Sequence, residues 1–163
     1  MRMESPVIDL SQIRLRDALF VECAVLNKED EPLMAEQVYD CDFSYELAHA
    51  LSPEQGMVGL ELRLRLDGVD ENRELNGVRG HFWLRFTFEV LNLADLLGDA
   101  AAPAMPPALY LTLLGIAYST ARGLVMAKIA ATVLQGVTLP IVDVRELVRP
   151  ANKVETDKPS NDK

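Results

Sequence analysis

Apolar and polar residues alternate with a period of two in four separate segments of the chain. The clearest segment, MVGLELRLRLDG at residues 57–68, has valine or leucine at every even position from 58 to 66 and mostly charged residues at odd positions. Since successive side chains of a strand point to opposite faces, this pattern predicts a sheet with one buried and one solvated face. The other predicted strands are residues 11–26, 37–51 and 80–93. Their short polar connections favour an antiparallel meander.

The same alternation predicts which side chains face the core. In the second strand the apolar face carries Tyr39, Cys41, Phe43, Tyr45 and Leu47, and in the fourth it carries Phe82, Leu84, Phe86, Phe88 and Val90. The first strand is less regular, and we expect an irregularity near residues 17 and 18. Its predicted apolar face contains Ile13, Leu15, Leu19, Val21, Cys23 and Val25.

A long apolar segment at residues 106–136 predicts a helix over residues 109–134, with large apolar residues around its whole circumference. It is long enough to suggest a membrane span, but prolines interrupt its first part, so we expect a buried helix in a protein that does not enter the membrane. Small residues recur every four positions, which favours close approach of a second helix. The alternatives are that this ridge faces the sheet or arises by chance. The ridge predicts a homo-oligomer with an interface at Gly115, Ser119, Gly123, Ala127 and Ala131.

The remaining segments complete an α+β fold: a four-stranded antiparallel meander, one long C-terminal helix and a short final helix. Residues 137–148 predict an extended piece that leads into one or two helical turns. We expect a flexible lead-in at residues 1–10, one domain at residues 11–148 and a disordered tail at residues 149–163, which is poor in apolar residues.

Composition narrows the classes of function. The 163-residue chain has a net charge of -9, which argues against nucleic acid and anionic membrane surfaces as partners. Cys23 and Cys41 lack CxxC spacing and are interpreted as reduced thiols rather than a disulfide. The N-terminus lacks the apolar core of a signal peptide, so a cytoplasmic location is expected. His49 and His81 lack metal spacing, and no phosphate-binding motif occurs, so we expect neither an enzyme nor a cofactor.

Several segments together resemble the SecB family of export chaperones. They are FTFEVLNL at residues 86–93, AYSTARGLVMAKIAATVLQGVTLP at residues 117–140, LPIVDVREL at residues 139–147 and RDALFVE at residues 16–22. The resemblance implies a homotetramer, built as a dimer of dimers with helices packed between two outer sheets. It also implies a holdase that binds unfolded client polypeptides without ATP.

The resemblance further implies an apolar client groove that includes Phe43, Tyr45 and Leu47. To these we add, on physical grounds, bulky residues expected near the mouth of the groove, because apolar linings bind extended chains without sequence preference. These are Trp83, Leu139, Ile141, Val142 and Leu147. For every one of these residues the alternative is ordinary core packing.

For an export chaperone the resemblance also implies docking to the motor ATPase SecA through Asp17, Glu22 and Glu89. The outward positions of the sheet carry arginines as well. A partner surface that binds carboxylates would be repelled by these arginines, unless carboxylates of the chain pair with them across the strands. Two alternatives to an export chaperone therefore stay open. One is a SecB-like chaperone dedicated to one client such as an antitoxin, and the other is an oligomeric adaptor that binds one folded partner.

Overall fold

The computed structural model describes residues 7–27, 40–98 and 103–149. Within them, four strands form one antiparallel sheet, and one long helix packs on it. The predicted tail at residues 150–163 and the first six residues of the lead-in lie outside the described residues. The strands are β1 (Ile13–Leu26), β2 (Asp40–Ser52), β3 (Met57–Val69) and β4 (Leu75–Val90). The helices are α1 (Leu93–Leu97), α2 (Pro107–Ile129) and α3 (Val144–Leu147).

The strand order corrects one part of the predicted topology. The sheet runs β1-β4-β3-β2, so only β2, β3 and β4 form a meander. β1 pairs with β4 instead of β2, and β1 and β2 therefore occupy the two opposite edges. Alternation within a strand predicts the face of each residue but not which strands pair. Residues 27–39 separate β1 from β2, which is more than the two to five residues usual for a hairpin loop, so the two strands need not be neighbours.

The inward faces of β3 and β4 form the core with α2, as their alternation predicted. Every even residue from Val58 to Leu66 in β3, and from Phe82 to Val90 in β4, is at most 3% exposed. One stripe of residues on α2 packs against these inward faces of β3 and β4. The buried residues of the helix are Leu109, Leu113, Leu114, Ala117, Tyr118, Ala121, Val125 and Ile129.

β1 departs from its predicted face because its pairing register with β4 shifts twice. The shifts fall between Leu15 and Asp17 and between Phe20 and Glu22. An extra residue in one strand moves the following side chains to the other face. Ala18 and Phe20 consequently pack against the core, as Cys23 and Val25 do after the second shift. Leu19 and Val21, which were predicted to face the core, are instead 39% and 38% exposed. Leu15 precedes the first shift and pairs with the buried Phe88, but at the edge of the sheet it is still 39% exposed.

The long helix is shorter than predicted. It ends at Ile129, after which the Thr132 hydroxyl donates to the Ile129 carbonyl and accepts from the Leu134 backbone N–H. Such local side-chain bonds compete with the helical hydrogen bonds and end the helix. Leu134 then turns back onto β4, where an added Cβ at Gly80 would lie 2.9 Å from Leu134 Cδ1. A larger residue at position 80 would require the Leu134 and Phe82 side chains to shift. The predicted interface residue Ala131 lies beyond the end of α2.

Candidate functional site

The candidate site lies where the edge strand β2 meets the C-terminal segment. Cys41, Phe43, Tyr45 and Leu47 alternate on the inward face of β2 and pack against the core while staying partly exposed. The rings of Phe43 and Tyr45 stack with centroids 5.7 Å apart. These positions confirm the predicted inward face of β2 within the described residues, whereas Tyr39 lies outside them.

A cavity of about 410 Å³ opens beside these residues. Phe43, Tyr45 and Leu47 line it from β2, and Leu147 and Arg149 line it from the C-terminal segment. Ser44 lines it as well, although its side chain belongs to the opposite face of the sheet. The cavity therefore reaches the backbone edge of β2. We call it the β2 groove.

Side chains of α2 and β2 hold the C-terminal wall of the groove in place. The Tyr118 hydroxyl donates to the Pro140 carbonyl over 2.8 Å, and Arg122 Nε donates to the Leu139 carbonyl over 3.1 Å. The Asp143 carboxylate accepts from the Arg145 N–H and caps α3. The extended segment and the short final helix were both predicted, and these bonds explain why so short a helix has a fixed place.

The structure brings together only some of the predicted client-binding residues. Phe43, Tyr45, Leu47 and Leu147 line the groove, with Leu147 only 4% exposed. Leu139 is 2% exposed in the core, Val142 packs against the core, and Ile141 is 85% exposed outside the groove. For Leu139 the core-packing alternative describes its position, because its side chain has no free surface to offer a client.

Trp83 does not lie in the groove. It alternates with the buried Phe82 and Leu84 and therefore belongs to the outward face of the sheet. There the Arg63 guanidinium lies 4.3 Å from the centroid of the indole, and Trp83 Nε1 donates to Glu61. Placing Trp83 near the mouth of the groove was wrong, since the period-two pattern alone assigns it to the other face.

Two groove residues had not been predicted. Arg149 belongs to the predicted tail, but it lines the groove and pairs with Glu146 over 2.8 Å. For Ser44 the alternation predicts only an outward-facing polar residue. Neither residue is apolar, which is the property that selects groove residues from the sequence. Ser44 reaches the cavity because it lies on β2, and Arg149 reaches it because the C-terminal segment folds beside β2.

The outward face of the sheet is covered by ion pairs, most of them between neighbouring strands and one, Arg65 with Asp67, within β3. Arg85 pairs with Glu61, and Arg65 and Arg79 both bind the Asp67 carboxylate, at 2.6 and 2.7 Å. Partial burial raises the pKa of Asp67, but the hydrogen bonds from the two arginines outweigh it and hold that pKa below the usual range. The arginines are therefore largely neutralised by neighbouring carboxylates, as the pairing alternative proposed.

The three predicted docking carboxylates share this outward face but differ in their partners. Arg16 donates to Glu89 over 2.6 Å, and Arg14 lies 3.6 Å from the same oxygen. The hydrogen bond from Arg16 accordingly holds the pKa of Glu89 below its usual range. Asp17 and Glu22 lie on the exposed edge strand β1 and have no ion pair among the described residues. One of the three carboxylates is thus already neutralised within the chain.

The small-residue ridge of α2 divides into three parts. A Cβ at Gly115 would lie 3.8 Å from Val144, so Gly115 faces α3 inside the chain. Ser119, Gly123 and Ala127 are exposed, and a Cβ at Gly123 would meet nothing within 4 Å. Ala131 follows the end of the helix. Among the described residues, α2 is the one helix that is long and apolar enough to cross a membrane, and core helices of water-exposed proteins meet the same criterion.

The cysteines and the acidic residues add little chemistry. Cys23 and Cys41 are free and half-buried, as expected of reduced thiols. Burial, with the carboxylates of Asp40, Asp42 and Asp67 nearby, raises the pKa of Cys41 to about 11, so its thiol stays protonated at neutral pH. Within residues 7–27, 40–98 and 103–149, no group of three or more His, Cys, Asp or Glu side chains is placed to hold a metal ion.

The fold, a four-stranded antiparallel sheet backed by one long helix, is similar to that of a solved SecB-like chaperone. The SecB-like chaperone Rv1957 of Mycobacterium tuberculosis, solved with a ChAD peptide from the HigA1 antitoxin, superposes with a TM-score of 0.57 and 16% sequence identity. The match covers 86% of this chain and 94% of that one. A protein of unknown function from Streptococcus agalactiae gives a TM-score of 0.45 at 10% identity, covering 79% and 97% of the two chains. No family model and no curated protein sequence matches the chain. The predicted SecB-like fold is confirmed.

Proposed function

We propose that this protein is an ATP-independent chaperone that holds unfolded polypeptide segments in the β2 groove. The observation that carries the proposal is the groove itself, where partly exposed aromatic and aliphatic side chains line a cavity that is open at a sheet edge. Such a lining binds extended chains through their apolar side chains and demands little sequence specificity. The protein would act in the cytoplasm, without a catalytic step and without a cofactor.

Within this class, we favour a chaperone dedicated to a small set of clients over a general export chaperone. Docking of SecA through Asp17, Glu22 and Glu89 would require an acidic surface, but the two arginines on Glu89 reduce its negative charge. The M. tuberculosis neighbour was solved with a peptide from an antitoxin, and an unstructured segment of an antitoxin is the corresponding client class here.

The exposed part of the α2 ridge supports a homo-oligomer, and we propose the tetramer that the resemblance implies. Ser119, Gly123 and Ala127 leave a strip without large side chains on the outer side of α2. Leu124 is only partly buried, and Met126 is 41% exposed. Packing a second α2 along this strip would cover apolar surface that one chain leaves in water.

The test of the chaperone proposal is suppression of aggregation. Purified protein is mixed with a chemically denatured model protein at equimolar amounts of protomer, without nucleotide, and light scattering is followed after dilution. We expect scattering to fall and the client to co-elute with the protein in size-exclusion chromatography. Unchanged scattering with no co-elution would refute the proposal. Binding of one folded protein without any effect on denatured chains would instead identify an adaptor.

A further inference from the structure

The two edges of the sheet differ in how well they can accept another strand. β1 has two register shifts along its length, and such bulges distort an edge and obstruct pairing. β2 pairs with β3 from Asp40 to Ser52 without a shift. Its sequence, DCDFSYELAHALS, contains no proline or lysine, two residues that commonly protect an edge. Within the described parts of the chain, no strand pairs with the outer side of β2.

The groove lies at this regular edge. Phe43 and Tyr45 border it from the inward face of β2, and Ser44, on the other face, borders the same cavity. A cavity that contacts successive residues of both faces includes the backbone between them. An occupant of the cavity thus lies beside β2, whose outer edge pairs with no strand of the described residues, and contacts the apolar side chains of its inward face.

We propose that the client segment binds as a fifth strand, hydrogen-bonded to the outer edge of β2. This rests on the proposed chaperone function and specifies the conformation and the pattern of the client. In strand addition the main-chain bonds supply affinity, and pockets for alternate side chains supply selectivity. Every second client residue then lies beside Phe43, Tyr45 and Leu47 and is apolar, while the residues between them lie on the outward face.

The charge of the outward face defines the other half of the pattern. The outward residues of β2 include Asp42 and Glu46. Asp42 lies 3.7 Å from Arg73 and Glu46 lies 3.7 Å from Arg63, beyond hydrogen-bond distance, and both carboxylates are well exposed to an added strand. Opposite charges across neighbouring strands attract and like charges repel. The client is thus an extended segment of alternating large apolar and basic or neutral residues. The chain's own residues 150–163 do not fit, because Val154 is their one large apolar residue.

Peptides with a methylated backbone test strand addition directly. The parent peptide alternates valine or leucine with lysine or threonine over ten residues. One derivative is N-methylated at three apolar positions and a second at three polar positions. Since all N–H groups on one side of a strand belong to alternate residues, only one derivative loses its bonds to β2. We expect that derivative to bind about 10- to 100-fold more weakly by fluorescence anisotropy, while the other binds like the parent.

The outcomes separate this inference from the chaperone proposal. Equal affinity of both derivatives, with the parent binding well, would refute strand addition and leave the groove as a chaperone site. No binding of the parent, combined with no suppression of aggregation, would refute both. A parent with glutamate in place of lysine should bind several-fold more weakly, and tighter binding of that peptide would contradict the charge pattern.

A matched pair of variants tests the edge from the protein side. Leu47 on β2 and Val25 on β1 are both partly buried, and both lie on the inward face of an edge strand. An inward lysine is a natural device against edge pairing. We expect Leu47→Lys to weaken parent binding at least about tenfold and Val25→Lys to leave it unchanged. Equal effects of the two variants on peptide affinity would contradict the assignment to β2. A second measurement is amide hydrogen exchange without peptide. If a second copy of the chain already protects the β2 amides and the peptide does not displace it, the assignment is contradicted as well.

Discussion

The hydroxyl of Tyr45 donates a hydrogen bond to the backbone carbonyl of Glu146 over 3.3 Å. This bond joins the lining of the β2 groove to α3, which lies 101 residues further along the chain. The same tyrosine stacks on Phe43. One residue of the edge strand thus both contacts the cavity and binds the opposite wall, so this neutral hydrogen bond helps to set the width of the groove.

Tyr45→Phe should loosen that wall while keeping the apolar lining. Loss of one neutral hydrogen bond costs about 0.5–1.5 kcal/mol of stability. Because this bond holds α3 against the sheet, its loss should destabilise the docking of α3 and leave the sheet itself unchanged. We expect faster amide hydrogen exchange in residues 144–147 and unchanged exchange in β3. Tyr110→Phe is the control, because the Tyr110 hydroxyl has no hydrogen bond to the parts of the chain that the structure describes. Equal exchange in the two variants would show that the bond does not hold the wall.

Phe43→Ala should reduce client affinity about tenfold while leaving a folded protein. Phe43 is partly buried, so its truncation costs less than the roughly 3–5 kcal/mol typical of a fully buried phenylalanine. The measurement is titration of a labelled denatured client. Leu19→Ala is the matched control, because Leu19 is an apolar residue of the other edge strand and is 39% exposed. A larger loss of affinity in Leu19→Ala would place the client on β1.

Gly123→Leu should reduce the native mass of the protein without unfolding the protomer. A side chain there meets nothing within 4 Å in its own chain, and leucine raises helix stability by up to about 1 kcal/mol over glycine. Leucine would nevertheless hold a second helix away from the ridge. Multi-angle light scattering measures the mass, with Lys128→Ala, an exposed residue outside the ridge, as a control on the same helix. An unchanged mass would remove Gly123 from the oligomer interface.

The parts of this structure that local sequence determines were predicted, and the parts that depend on distant pairing were not. The inward faces of β2, β3 and β4 follow from alternation, because β2 pairs with β3 without a shift and the register shift between β3 and β4 falls after Asp67, beyond the alternating core positions. Leu19 and Val21 were assigned to the core since bulges in β1 arise from its pairing with β4, which no local pattern contains.

The candidate site shows the same division. Phe43, Tyr45 and Leu47 were found through the resemblance and the alternation, but Arg149 reaches the groove only through the fold of the C-terminal segment. Trp83 is the opposite case, because its parity already assigned it to the outward face. Its bulk had been given more weight than its position in the strand.

Asp67→Asn should remove stability at neutral pH but not in acid. The pKa of Asp67 is lowered from the usual 3.8, so its ion pairs stabilise the folded state fully above that value and lose this effect as the pH falls through the lowered folded-state pKa. The difference in unfolding free energy between the wild type and the variant should thus be constant above about pH 5 and shrink below about pH 4. Urea denaturation at pH 6 and pH 3 measures it. A difference that grows in acid would contradict the assigned ion pairs.

The single tryptophan makes the outward face separately observable. Trp83 lies under the Arg63 guanidinium and donates to Glu61, on the face opposite the β2 groove. A client without tryptophan that fills the groove should leave the Trp83 emission maximum unchanged, because it contacts the other side of the sheet. Arg63→Ala should shift that maximum to longer wavelength, since it uncovers one side of the indole ring. This variant shows that the probe responds to changes on its own face. A shift on addition of the client, of the size seen in Arg63→Ala, would place the client on the outward face.

Addition of SecA should likewise leave the emission of Trp83 unchanged, because Arg14 and Arg16 neutralise Glu89 on that face. A saturable shift with SecA that Glu22→Gln abolishes would restore the export function.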